Sequence, residues 1–165
     1  MTAYHELFPE AAIYLTGTFP QYTKFNGPAL PITGLAYDAA TDEAAFWKIR
    51  AIGYTSGDLT VDIDWYADTA STNAVVWGVA IAVITPETDT QDVETKTLAT
   101  ENTVTDTHLG TTGQRLHRAV VTVSNLDSLA ANDFVMVRIR RLGSNGSDTM
   151  AGDAILVMAT LSYAT

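Results

Sequence analysis

Residues 42–85 read DEAAFWKIRAIGYTSGDLTVDIDWYADTASTNAVVWGVAIAVIT, three apolar runs cut by turns rich in Gly, Ser and Thr. In the middle run Leu59, Val61, Ile63 and Trp65 alternate with Thr60, Asp62, Asp64 and Tyr66. Side chains on a strand point alternately to its two faces, so this period of two predicts a strand with one apolar and one acidic face. The stretch also holds all three tryptophans, Trp47, Trp65 and Trp77. Each falls on an apolar strand face, which makes core packing a simpler reading than an aromatic platform for sugars.

Working outward, the same strand–turn rhythm continues. Candidate strands are 43–52, 58–67, 74–85, 92–104, 116–124, 133–142 and 153–163. Many short strands at this spacing, with turns such as TSGD and GSNGSD, predict an all-β sandwich or barrel. LDSLAA at 126–131 is the one helix-like piece, and the Thr-rich segment 86–114 suits loops and an exposed edge strand. Runs 74–84 and 154–163 are apolar on both faces, with Ile155, Val157, Ala159, Leu161 and Tyr163 assigned to one face of the second. A two-layer sandwich leaves one face of each sheet wet, so something is expected to cover these two.

Residues 1–35 differ in kind. They hold four of the five prolines and six of the fifteen aromatics: Tyr4, Phe8, Tyr14, Phe19, Tyr22 and Phe25. Proline lacks the backbone donor and disfavours helix and central strand. The division read from the sequence is an extended arm over 1–35 and a sandwich over 36–165. The arm packs either on its own sandwich or on another subunit.

The charge is −10 over 165 residues, with no cysteine. Residues 1–110 carry four basic and fifteen acidic residues, and 111–165 carry five basic and four acidic. That acidity argues against a nucleic-acid partner, whose phosphates demand a basic surface. No apolar run is long enough for a membrane helix, and MTAYHELFPE lacks a secretion pattern.

Catalytic constellations are missing. His5, His108 and His117 have no ligand spacing, so no metal is expected, and the last two are assigned to surface loops. Asp62 and Asp64 share a strand face, which reads as solvated rather than as a carboxylate pair or a calcium site. No nucleophile elbow or phosphate cradle occurs, so neither enzyme activity nor a cofactor is expected. Asn145-Gly146-Ser147 matches a glycosylation sequon but reads as a tight turn. Arg138 and Arg140 share an outward face in VMVRIRRLG; they pair with acids of an adjacent strand, for instance Asp62 or Asp64, or contact an acidic neighbour.

Residues 35–85 and the ending NLDSLAANDFVMVRIRRLGSNGSDTMAGDAILVMATLSYA (125–164) resemble a recurring group of tailed-bacteriophage virion proteins. The shared features are Asp-Glu before the first strand, a strand ending in Trp-Tyr, a Val-Val-Trp-Gly strand start, a Leu-rich turn into Asp-Phe-Val, and Ala-Gly-Asp before the last strand. The resemblance implies a jelly-roll sandwich assembled as a homotrimer, and carries over no catalytic residue. The expected role is a capsid decoration (cement) protein on the outer surface of the virion, clamping adjacent subunits of the major capsid protein. Its expected contacts are Tyr4, Phe8, Tyr14, Phe19, Tyr22, Phe25, Arg138 and Arg140. The alternative is a receptor- or glycan-binding head of a tail fibre, using Tyr66 and other Tyr and Asp residues around 66–73, 86–92 and 106–114.

Overall fold

The computed structural model describes residues 1–165 and every side chain except that of Asn26. The chain is an all-β sandwich of two antiparallel sheets. Its strands are β1 (Thr2–Leu7), β2 (Gln21–Asn26), β3 (Pro31–Tyr37), β4 (Asp42–Arg50), β5 (Leu59–Ala67), β6 (Ala74–Ile84), β7 (Asn102–Thr107), β8 (His117–Val123), β9 (Phe134–Leu142) and β10 (Ala154–Ala164). One sheet has the order β2-β3-β10-β5-β8, with β1 also on β10; the other has the order β4-β9-β6-β7. From β3 onward the chain changes sheet at every connection except β6–β7, which gives the jelly-roll layout.

Residues 1–35 are extended, and they dock on their own sandwich. β1 and β3 share one edge of β10, β1 against 159–164 and β3 against 154–156, and β2 pairs outside β3. β3 runs across position 35, so the first segment and the sandwich form one sheet. The prolines fit because Pro31 opens β3 and Pro9 starts a 3-10 turn, Pro9–Ala11, where no ladder donor is needed. Met1 and Thr165 hydrogen-bond each other at 3.1 and 2.9 Å, so the two chain ends meet.

The interior follows the alternation. Leu59, Val61, Ile63 and Trp65 of β5 face Val75, Trp77, Val79 and Ile81 of β6, all buried. Trp65 and Tyr37 pack edge-on against Trp77 with centroids 6.2 and 5.2 Å away. Burying each large side chain stabilises the fold by roughly 1.5–3 kcal/mol before entropy costs.

Four expectations need correction. The strand placed at 92–104 lies at 102–107, because 86–101 folds over the outside of β6, with the Ala99 N–H donating to the Ile81 carbonyl. Residues 126–131 form a turn rather than a helical piece: Asp127 and Ser128 have positive φ, and the Leu129 N–H closes on Leu126. In β10 the register slips between Leu156 and Met158, leaving Val157 as an extra residue. Leu156 therefore faces the core with Ala159, Leu161 and Tyr163, while Ile155 and Val157 lie on the opposite face, Ile155 buried there beside Gly34 and Val157 half-buried. The partner of Arg138 and Arg140 is Glu101, with Asp42 3.5 Å from Arg140; Asp62 and Asp64 lie in the other sheet.

Candidate functional site

The bulge contributes Val157 to the lining of a wide groove on the outer face of the six-stranded sheet. Val157 lines it together with two aromatic rings, Phe25 of β2 and Tyr66 of β5. Phe25 lies outward because it stands opposite Ile32 in the β2–β3 register, and its ring meets Tyr66 edge-on at 5.9 Å and 75°. The hairpin turn Pro28–Leu30 forms one wall, and Gln114 and Leu116 form the other. Asp68 and Gln114 close the rim, with Gln114 Nε2 3.3 Å from Asp68 Oδ1. The groove encloses about 780 Å³, within the usual size range of small-ligand sites. Burial, and then the charge of Asp68, raise the Tyr66 phenol above its ordinary value. At neutral pH it is an uncharged group able both to donate and to accept.

The rim stands on two loops that pack together, 68–73 and 108–116. The His108 N–H donates to Asn73 O at 3.0 Å, and Gly113 sits on Asp68 so closely that a Cβ there would lie 3.4 Å from its carbonyl oxygen. Gly110 and Thr111 both have φ of +69°, which folds the second loop back on itself. Residues 86–92 follow the other end of β6, so the three loops of the glycan reading do not converge. Two of them do, and they bring Tyr66, Asp68 and Gln114 to one place.

His117 lies in β8 rather than in a surface loop, and His108 opens the loop 108–116 but points inward. Both are buried, with ring centroids 4.4 Å apart, and His117 packs on Trp65 at 5.2 Å. His117 lies in β8 in the same alternation as Ala119, Val121 and Val123, and that pattern already marks it as inward. Desolvation, then the neighbouring His108, hold the His117 imidazole below its ordinary value. His5 is on β1, its Nε2 2.9 Å from the Tyr163 hydroxyl.

The expected contact residues scatter. Tyr4 stands on the outside of β1, and Phe8 precedes the 3-10 turn, where its carbonyl accepts the Trp47 indole N–H at 2.9 Å. Tyr14 packs on Phe19 at 5.3 Å, and Tyr22 reaches Glu10 at 3.4 Å. A second groove, about 330 Å³, lies on the outer face of the four-stranded sheet and unites Tyr14 and Arg138 with Phe46, Phe134 and Lys96. Its cations are already engaged, Lys96 by Asp127 at 2.9 Å and Arg138 by Glu101 at 2.8 Å. Only Phe25 of the expected contacts lines the larger groove; Leu116 and Val157 were not anticipated. No local signal marks them, since they meet through strand pairings far apart in sequence.

The chain matches no protein-family model and no curated protein sequence. Among solved structures it is similar to a CBM35 from Cellvibrio japonicus Abf62, at 14% identity and TM-score 0.54, covering 96% of this chain and 92% of that one. It is also similar to part of an Arthrobacter globiformis T6 isomalto-dextranase complexed with panose, at 14% identity and TM-score 0.56, covering 97% of this chain and 23% of that one. Both likenesses are of fold: the chain shares the jelly-roll sandwich of these proteins.

Proposed function

We propose that this protein is a non-catalytic carbohydrate-binding module that takes a short glycan in the groove of Phe25, Tyr66, Asp68 and Gln114. The observation that carries this reading is the make-up of the groove. A sugar ring presents a C–H face and a hydroxyl edge. Here the Phe25 ring and an apolar floor meet one, and the Asp68 carboxylate, the Gln114 amide and the Tyr66 phenol meet the other. The fold neighbours support it, one being a carbohydrate-binding module and the other a sugar-complexed protein. On a phage particle, the setting implied by the resemblance, such a module is the receptor-binding head of a tail fibre.

A glycan array tests it directly. Saturable binding is expected, weakened about tenfold in Tyr66→Phe and in Asp68→Asn, a loss of the size of one hydrogen bond to a charged or well-placed group. Phe46→Ala, in the other groove, is expected to bind normally. No glycan bound, or binding indifferent to both groove variants, overturns the proposal.

A second reading keeps the capsid. Tyr4, Phe8 and Tyr22 are 67%, 49% and 50% exposed, which supports a homotrimeric decoration protein that presses these rings on the major capsid protein. Antibody labelling of particles separates the two: label over the whole head favours decoration, and label at the tail tip favours the glycan-binding head.

A further inference from the structure

The loop that carries Gln114 is folded around a buried imidazole. Gly110 N–H, which can only donate, lies 3.0 Å from His108 Nδ1, and Gly113 O, which can only accept, lies 3.0 Å from His108 Nε2. His108 is therefore the neutral tautomer with its proton on Nε2, and both ring nitrogens are spent holding the loop. A second proton on Nδ1 would set two N–H groups against each other at that distance, so the bond to Gly110 must break first. His117 stands beside it with Nε2 buried and without a partner. Protonating either ring places a charge among buried groups.

The surroundings set the balance. From β5 the rings face Trp65, whose indole N–H donates to Asp106 of β7 at 2.7 Å. Asp106 favours a proton on His117, whereas Arg115, just before β8, and His108 oppose it. Among the described residues no acid pairs directly with either ring, so acid is relieved by opening the loop to water. Opening withdraws Gly113 from Asp68 and separates the Asp68–Gln114 pair at the rim.

We propose that His108 and His117 are an acid-operated latch on residues 108–116, closing the groove wall at neutral pH and releasing its ligand in mild acid. The release of ligand rests on the glycan reading of the groove; the movement of the loop does not.

Hydrogen exchange on the intact wild-type protein between pH 8 and pH 5 tests the latch. The protection factors of the Gly110 and Thr112 amides, which donate to His108 Nδ1 and to the Gly110 carbonyl, are expected to fall by about tenfold per pH unit for each proton taken up, while Val61 and Ile63 of β5 hold theirs. His117→Phe, which keeps a ring against Trp65, is expected to flatten part of the response. Loop protection that stays constant with pH in the wild type overturns the latch. Glycan binding over the same pH series separates the two proposals. An acid-opened loop in a protein that binds no glycan at any pH removes the glycan reading and keeps the latch. Glycan binding of constant strength over a protected loop does the reverse.

Discussion

Arg141 and Asp148 form a two-pronged ion pair, at 3.0 and 2.8 Å, from which water is wholly excluded. The remaining guanidinium hydrogens go to the carbonyls of Tyr37, Met150 and Gly152, and Asp148 also accepts the Val76 N–H. One arginine thus ties β9 to the segment before β10 and to the end of β3. Removing one partner strands a buried charge, which typically costs about 3–5 kcal/mol. Asp148→Ala is expected to lose about that much in urea denaturation, whereas a paired apolar replacement of both residues is expected to lose less.

Glu101 fills the space above Gly78. A Cβ at position 78 would lie 2.5 Å from the Glu101 carboxyl carbon, and that carboxylate accepts four hydrogen bonds from Arg138 and Arg140. Gly78→Ala must push the acid off its arginines, at about 1–3 kcal/mol for overpacking. The expected result is a lower urea midpoint with an unchanged denaturant slope. An unchanged midpoint would show that the hub adjusts without loss.

Stability is expected to decline on the acid side of neutrality. His117 is held below its ordinary value of 6.5 in the fold, chiefly by desolvation. The unfolded chain therefore takes up the proton first. The stability from keeping His117 neutral is whole above about pH 6.5 and shrinks as pH falls toward the folded value. One proton can account for at most about 1.4 kcal/mol per pH unit. Urea titrations at pH 8, 7, 6 and 5.5 check the trend, with His117→Phe showing a smaller slope.

Deleting Val157 removes the extra residue of β10. Without it Leu156, Ala159, Leu161 and Tyr163 fall into one unbroken alternation that keeps all four in the core, with Leu156 still opposite Trp65 and Met158 opposite Asp64. The expected outcome is a protein that still unfolds cooperatively in urea, and a loss of cooperativity would show that the bend of the bulge itself is needed. Val157→Ala, which keeps the count, is expected to unfold cooperatively with a slightly lower midpoint.

Alternation carried most of the architecture. Strands β4, β5, β6, β8, β9 and β10 lie within a residue or two of where their apolar period puts them, because each buries one face. The same parity held information beyond strand position. His117 and Arg141 stand on inward positions, Arg141 with Val135, Val137 and Ile139, and an ionisable group there demands a buried partner. A bulge has no such signature, so strict alternation puts Leu156 on the wrong side of Ala159, Leu161 and Tyr163. Proline masked β2 and β3, which accept it only at an edge or a strand start. Of the groove, Tyr66 stands near the end of a strand the sequence marks and Asp68 and Gln114 in the loops it marks, while Phe25 arrives through a pairing more than a hundred residues long in sequence, β3 on β10.

The meeting of Met1 and Thr165 makes the two ends a single point on the molecule. A peptide joining them need span only a few residues, and a new opening in the exposed turn at Asn145 would leave every ladder intact. Such a circular permutant should fold to the same sandwich. By the same geometry, the unmodified chain spliced into a surface loop of a host protein would interrupt that host at one spot rather than stretch it between two.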